Sequence, residues 1–529
     1  MKFIHSTGAE GERLYPETFV GGTALADLDN DGDLDLLAVS GRQWSSESKA
    51  PSAAIFLNDG SAHFTDATHE WGLDYSGFGI GINAIDYDAD GWLDIFVASM
   101  GENKLYRNLE GRGLEDVTDE VGVGGEPTDF SINGIALDTN NDGVDELFVL
   151  NYLNWDKDAD IRTIEALVGV PRAYNGPGLF KGAPSRLYQW DGQRFNEQTK
   201  QAGIEVTNPF NDEHIGKGLG ALPVDLNNDG YLDLIVANDR VRNFAFINDG
   251  KGSFSEQGED LGLAYDNGGM ATAAMGMDMG ILDSSGVMSV GMGNFEAEMT
   301  SLYRQRLPGG LFFDDAAITG VGQYTRESVT FGMLFVDLDL DGHQEIVHAN
   351  GHTEPDIGKA QGGRTFRQLP QVMLNCPDQC AKPFALLGSE QLGDLAIPIA
   401  GRALVSGDLD DDGDVDLLIS DVDGPLRVFR NDQQHANNWL QIKLRADCRR
   451  HGATGAVVEA EHGEHRQVRY VSPFRSYASQ VSPIVNLGLG KAAKIDRLRI
   501  TWLGGEVTEL NNVSPNQRIE VTRQPCEAS

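Results

Sequence analysis

Residues 27–35 read DLDNDGDLD, with aspartates at relative positions 1, 3, 5, 7 and 9 and a glycine, Gly32, at 6. Alternate side chains of such a loop turn toward one point, and the glycine lets the chain bend sharply around it. Carboxylates packed this densely repel one another unless a cation lies between them, and an irregular cage of hard oxygens suits Ca²⁺ better than Mg²⁺. Asp27, Asp29, Asp31 and Asp35 are therefore candidate ligands, with Asp33 at position 7 offering its carbonyl. One loop could be a solvated acidic turn. Six of them in matching surroundings could not.

The pattern restarts at Asp86 (DYDADGWLD), Asp138 (DTNNDGVDE), Asp225 (DLNNDGYLD), Asp337 (DLDLDGHQE) and Asp408 (DLDDDGDVD). A decayed copy, ILDSSGVMS, starts at Ile281; it keeps Asp283 and Gly286 but has Ile281, Ser285 and Ser289 at ligand positions. Seven units are expected, six of them able to hold metal. By position, the further candidate ligands are Asp86, Asp88, Asp90, Trp92 and Asp94; Asp138, Asn140, Asp142, Val144 and Glu146; Asp225, Asn227, Asp229, Tyr231 and Asp233; Asp337, Asp339, Asp341, His343 and Glu345; and Asp408, Asp410, Asp412, Asp414 and Asp416. The residue at position 7 contributes its backbone carbonyl in every case.

Each unit has one grammar. A small-residue and apolar run (GGTALAD, GINAID, GLGALPVD) leads into the acidic loop, and a β-type run (LDLLAVS, LDIFVAS, LDLIVAN) follows it. A second such run ends near Asn-x-Gly (AIFLNDG, FAFINDG), and a third reads HFTDAT or SFSEQ. Four short strands per unit are the signature of a propeller blade, so the fold class is all-β, a seven-bladed β-propeller over residues 1–432. The seventh unit lacks its last strand, and the N-terminal KFIHST resembles it, so residues 2–7 are expected to close the ring as the outer strand of the last blade. Beyond the polar stretch DQQHANN, residues 433–529 read as short strands of a small β-sandwich-like domain. The longest helix expected is a turn or two near Ile161–Val168.

With Lys+Arg 41 against Asp+Glu 81, the net charge is −40, and six divalent ions would still leave −28. Such a surface excludes nucleic acid and anionic membrane as partners, because phosphate contacts need Lys and Arg. No apolar run is long enough to span a membrane. No leader is visible either, since strand-like sequence begins at Phe3; an extracellular or periplasmic location is favoured by the loop type, with the cytoplasm as alternative. Cys376 with Cys380, and Cys448 with Cys526, could be disulfides or four unpaired thiols.

Two insertions, 151–186 and 350–372, fall between the second and third strands of the third and sixth units. They open on the face opposite the acidic loops. The residue five after position 9 is Ser40, Ser99, Asn151, Asn238, Asn294, Asn350 and Asp421, polar in every unit. Either these cap strand ends, or they form a polar rim around the channel mouth. On the second account Asn238, Asn294 and Asn350 join Asp239, Glu296, Glu298, His352, Glu354 and Asp356 as a ligand site, with His214 reaching the same face. His352, His214, Glu298 and Asp239 are its candidate catalytic groups. His348, at a position apolar in the other units, is either a buried strand histidine or part of a second metal site with His352 and Glu354 or Asp356. No nucleophile elbow, P-loop or dinucleotide fingerprint is present.

The seven units resemble FG-GAP (VCBS) repeats of the integrin α-type propeller. Through GATGAVVEA, SYASQ, NLGLG and ITWLGG the C-terminal part resembles an ASPIC/UnbV domain. With VAND at 236–239, AAMGMDMG at 273–280, NFEAEMTSLY at 294–303 and NGH at 350–352, the whole chain is similar to the cartilage acidic protein family and its bacterial relatives. NLGLG stands where HFGLG is usual, TWLGG where WPxG is expected, and Asn175 where relatives often carry Cys. The resemblance implies the propeller and Ca²⁺ but not an activity. Two function classes stand: a calcium-stabilised protein binding a glycan, a protein or a polar small molecule on the insertion-bearing face, or an enzyme, such as a lyase or cyclase, using that face as a pocket. The oligomeric state is open.

Overall fold

The computed structural model describes residues 3–376, 380–432, 437–446 and 453–523. Seven antiparallel sheets follow one another along the first part of the chain. Their innermost strands are Thr23–Ala26, Phe78–Ile85, Ser131–Leu137, Gly218–Val224, Met277–Gly280, Thr330–Val336 and Gly401–Gly407. Each pairs with the strand after its acidic loop, as Thr23–Ala26 does with Asp35–Val39. Successive inner strands touch, and Gly401–Gly407 touches Thr23–Ala26, so the series closes into a ring. The inner strands are buried on both faces because each sheet is sandwiched between its neighbours, which is why they read as continuous small and apolar runs.

The small residues let backbones crowd around the axis. A Cβ at Gly220 would lie 2.4 Å from the Met275 carbonyl oxygen, and one at Gly276 would lie 2.2 Å from that of Phe331. The Asn-x-Gly ends of the third strands join blade to blade. Asn108 Nδ2 donates to the Leu28 carbonyl at 2.9 Å, Asn248 to Thr139 at 2.6 Å, Asn375 to Leu282 at 2.7 Å and Asn431 to Leu338 at 2.8 Å. Asn58 reaches Leu409 of the seventh unit at 2.9 Å and ties the two ends of the ring together. Each acceptor is position 2 of the preceding loop.

The N-terminal segment meets the last sheet differently from expectation. That sheet has three strands among the described residues. Ile4 and His5 bridge to Pro425 and Val422, in the connection between its second and third strands, and do not run along Arg427–Phe429 as an outer strand. The cause is local: Phe3 packs its ring against His5 and Phe56, while His5 Nδ1 lies 3.2 Å from the Val39 carbonyl, so the segment wedges between the last and first blades. In the third-unit insertion the helix is Lys157–Arg162, N-capped by Asp156, and Glu165–Leu167 pairs with Val170–Ala173 where a helical turn was expected.

The C-terminal part forms two sheets, of three and four strands, around Leu440, Ile442, Val458, Leu498 and Ile500. It sits on the acidic-loop face, with Trp439 against Gly413. The sequence boundary at 432/433 separates neither the cores nor, at one point, the sheets. Residues 472–484 leave this domain and enter the propeller channel, where Ser479–Gln480 pairs in parallel with Thr23–Ala24. Gln480 brackets Ala84, accepting from its N–H at 2.7 Å and donating to its carbonyl at 3.0 Å. Phe474, Tyr477 and Ala478 belong to the propeller's own apolar cluster. Cys376 and Cys380 form a disulfide; Cys448, Cys526 and Lys2 lie outside the described residues. Among those described, no helix is long and apolar enough to cross a membrane.

Candidate functional site

All six intact loops share one backbone. Position 4 is left-handed in each (Asn30, Ala89, Asn141, Asn228, Leu340, Asp411, φ 57 to 60°), as is the glycine at position 6. The position-9 carboxylate turns back onto the position-2 N–H: Leu28 to Asp35 at 2.9 Å, Thr139 to Glu146 at 2.8 Å, Leu409 to Asp416 at 2.9 Å. Carboxylate oxygens converge within 4.8 Å in four loops: Asp27, Asp29 and Asp31; Asp86, Asp88 and Asp90; Asp337, Asp339 and Glu345; Asp408, Asp410 and Asp416. The loops starting at Asp138 and Asp225 carry Asn140 and Asn227 at position 3 and offer an amide oxygen there.

These clusters can hold metal ions, and the donor set fits a hard cation. Oδ1 of Asp27, Asp337 and Asp408 is buried without a hydrogen-bond partner among the described residues, an expensive state that an ion relieves. Burial, then mutual repulsion, pushes Asp94 up to about 9 and Asp35 and Asp414 up to about 8. In the decayed loop Asp283 instead pairs with the Arg304 guanidinium and Ser285, so a side chain supplies the counter-charge.

On the opposite face lies a cavity of about 420 Å³, walled by both insertions and by the N-terminal segment around Tyr15 and Phe19. Phe331, Met275 and Leu219 line its apolar part. Tyr477 closes the channel behind them: it is fully buried, its ring lies edge-on to Phe331 at 5.0 Å, and its hydroxyl donates to the Phe19 carbonyl at 2.8 Å. Arg402, also fully buried, donates to the carbonyls of Thr18 (2.7 Å), Gly401 (2.8 Å), Gly351 and His352 (both 3.2 Å) and covers the Phe331 ring at 4.0 Å. Burial lowers its pKa to about 10. It fixes the N-terminal segment against the sixth-unit insertion.

Asp239, Glu296, His352 and Glu354 do line this cavity. Asp239 accepts from the Tyr152 hydroxyl, which lies 2.7 Å from the Tyr15 hydroxyl, and burial raises its pKa. His352 Nδ1 accepts from the Glu354 N–H at 2.9 Å, which puts the neutral ring's proton on Nε2, 3.7 Å from Glu296. That imidazole holds the Glu296 carboxyl below its ordinary range. Glu354 is bound by Arg13 and by the Tyr174 N–H. Arg240 lines the cavity with an exposed side chain and a left-handed backbone, φ 58°. No carboxylate lies within ion-pair distance of it among the described residues. Nothing in the sequence singled out Arg240, Tyr15 or Tyr152, although Arg240 follows VAND directly.

Other candidate residues are spent elsewhere. Asn238 accepts from the Lys217 N–H at 2.7 Å and donates to the Arg242 carbonyl at 3.0 Å; Asn350 donates to Leu369 at 2.9 Å; Asn294 donates to Ser301 at 3.1 Å. These amides cap strand ends and do not line the cavity. Glu298 accepts from the Ala273 N–H at 2.8 Å, His214 bridges to Thr207, and Asp356 pairs with Arg13 and Lys359. His348 is buried within its strand, outside the cavity, and burial lowers its pKa to about 4. Among the described residues every converging three-ligand group lies in an acidic loop, so His348 and His352 do not assemble a second metal site. Asn238→Ala is expected to cost about 1–3 kcal/mol by orphaning buried backbone groups, read as a lower denaturation midpoint.

The ASPIC and UnbV family matches residues 449–528, and the FG-GAP-like repeat family matches 27–97, 86–149 and 225–279. The chain thus carries FG-GAP-like repeats and an ASPIC/UnbV domain. It is 23% identical over 522 residues to cartilage acidic protein 1 of Homo sapiens, covering 93% of this chain and 70% of that protein. To cartilage acidic protein 1 of Xenopus tropicalis it is 24% identical, covering 92% and 70%. Among solved structures, an Agrocybe aegerita lectin described as recognising non-reducing terminal N-acetylglucosamine aligns over 70% of this chain and 80% of its own, at 16% identity and a TM-score of 0.40.

Proposed function

We propose that the protein is an exported propeller-type binding protein, stabilised by about six Ca²⁺, that takes a small hydroxyl-rich ligand in the cavity opposite the acidic loops. The ligand is a polar small molecule or the end of a glycan. The carrying observation is that cavity: it is concave, backed by aromatic and aliphatic side chains, and ringed by a few convergent polar groups, the usual make-up of a small-ligand site. Asp239 and Glu296 accept from hydroxyls, the aromatic wall stacks on a ring face, and Arg240 offers a place for an anionic substituent. A concave site favours such a ligand over a flat protein partner. The Cys376–Cys380 disulfide suits an oxidising compartment.

Titration calorimetry of the full chain in Ca²⁺ against neutral, acidic and amino sugars tests this. At least one class is expected to bind. Asp239→Asn and Arg240→Gln should each weaken it about tenfold or more, roughly 1.4 kcal/mol, with the melting temperature nearly unchanged. No binding across the three classes, or binding indifferent to both substitutions, sinks the proposal.

One observation favours catalysis as the second possibility. The Tyr15–Tyr152–Asp239 chain of hydroxyls ends on a buried carboxyl whose pKa is raised, a proton-relay arrangement at the cavity wall. Incubating a bound ligand with the protein and recovering it chemically unchanged would remove that alternative.

A further inference from the structure

The C-terminal domain lies over several acidic loops, its Gly504 N–H donating to the Gly230 carbonyl at 3.2 Å in the fourth unit, and in three of them the position-1 aspartate is shared with it. Lys443 Nζ donates to Asp27 Oδ2 at 3.0 Å, and Gln441 Nε2 donates to Asp408 Oδ2 at 2.6 Å. The Gly488 N–H donates to Asp337 Oδ2 at 3.2 Å. In all three the other oxygen, Oδ1, is buried and has no hydrogen-bond partner among the described residues. Two loops whose position-1 aspartate is not so shared differ. Asp86 and Asp225 spend both oxygens on N–H groups of their own loops, those of Asp90 and Gly91 and of Asp229 and Gly230. The shared loops belong to the sixth, seventh and first units, consecutive around the closed ring.

The same domain sends residues 472–484 into the channel. Ser476 exchanges backbone bonds with Met277, donating at 2.8 Å, and Ser482 donates to the Ser406 carbonyl at 3.1 Å. Between them Tyr477 packs behind Phe331 and Phe19, two residues of the cavity lining. Loop face and cavity are thus joined by one stretch of chain.

We propose that cations in these three loops act as a clasp, holding the C-terminal domain down and so keeping residues 472–484 seated behind Phe331 and Phe19, which form the back of the cavity. A cation held by these loops would neutralise their carboxylates and fix Asp27, Asp337 and Asp408, whose Oδ2 atoms would then be oriented, ionised acceptors for the C-terminal donors. Without the ion, repulsion among Asp27, Asp29 and Asp31, and within the other two clusters, turns the shared carboxylates out of register with their donors. Cation occupancy on one face therefore sets the shape of the cavity on the other. This coupling does not depend on what the cavity binds.

Hydrogen exchange of the full chain in saturating Ca²⁺ tests it through four variants. Asp337→Asn and Asp408→Asn should each speed exchange over residues 472–484 by about tenfold, while Asp86→Asn and Asp88→Asn, which remove carboxylates bonded to no C-terminal residue among those described, should leave that segment as protected as in the parent. Equal protection in all four, or equal loss in all four, overturns the clasp. Should the first pair fail to fold, Lys443→Met and Gln441→Leu keep every ion ligand and must still loosen 472–484; full protection in both would be equally decisive.

Discussion

Stripped of divalent ions, the protein is expected to melt at least about 10 °C below its Ca²⁺-loaded form, and to lose further stability as pH rises from 6 to 8. An ion that binds only the folded chain contributes about 2.7 kcal/mol at a hundredfold excess over its dissociation constant, and several loops act together. The pH dependence follows from the loop carboxyls. In the ion-free fold Asp94 stands at about 9, Asp35 and Asp414 at about 8, and Asp86, Asp233, Asp337 and Asp416 at about 7, each raised first by burial. Unfolded, they titrate near 4. Between those values the native state holds protons that the unfolded chain has released, so stability falls as pH rises through this window. Bound Ca²⁺ replaces those protons. The difference in melting temperature between loaded and stripped protein should therefore widen from pH 6 to pH 8. Metal analysis after dialysis in micromolar Ca²⁺ should return about six ions per chain. A stripped protein that melts with the loaded one at both pH values would overturn the assignment.

The loops were legible because metal coordination constrains spacing, and spacing survives in sequence. Position 4 shows the limit of that: its left-handed backbone is occupied by Asn, Ala, Leu and Asp alike, so no residue type announces it. The Asn-x-Gly repeats carried a second signal that was legible only as a turn. Their asparagines reach the preceding blade, a relation between units that reading one unit cannot reveal. Polar residues at the second-strand ends were visible, but whether an amide faces a ligand or a carbonyl depends on where the next loop lies. Asn238 and Asn350 turned inward to backbone; Asp239, one residue further, lines the cavity. Residues 472–484 were the least legible. SYASQ sits between two strands of a separate domain and has no periodicity of its own. Its role comes from a channel built some 200 to 450 residues earlier in the chain.

That channel segment carries the other large effect. Tyr477→Ala is expected to cost about 3–5 kcal/mol, the usual penalty for truncating a fully buried aromatic side chain, and to open the cavity toward the channel. The ring packs edge-on to Phe331, which is itself covered by the Arg402 guanidinium, so its removal exposes a face of a stack that also holds a buried cation. Among the described residues Arg402 hydrogen-bonds only to carbonyls, and its pKa is already lowered by burial; loosening Phe331 removes one of the groups that favour its charge there. Tyr477→Phe separates packing from polarity. It forfeits only the bond to the Phe19 carbonyl, so about 1 kcal/mol is expected, somewhat more because that carbonyl is left buried. Denaturant unfolding of both variants in Ca²⁺ measures the difference. If Tyr477→Ala costs no more than Tyr477→Phe, the ring is not a structural plug, and the back wall of the cavity must be held by the inner strands alone.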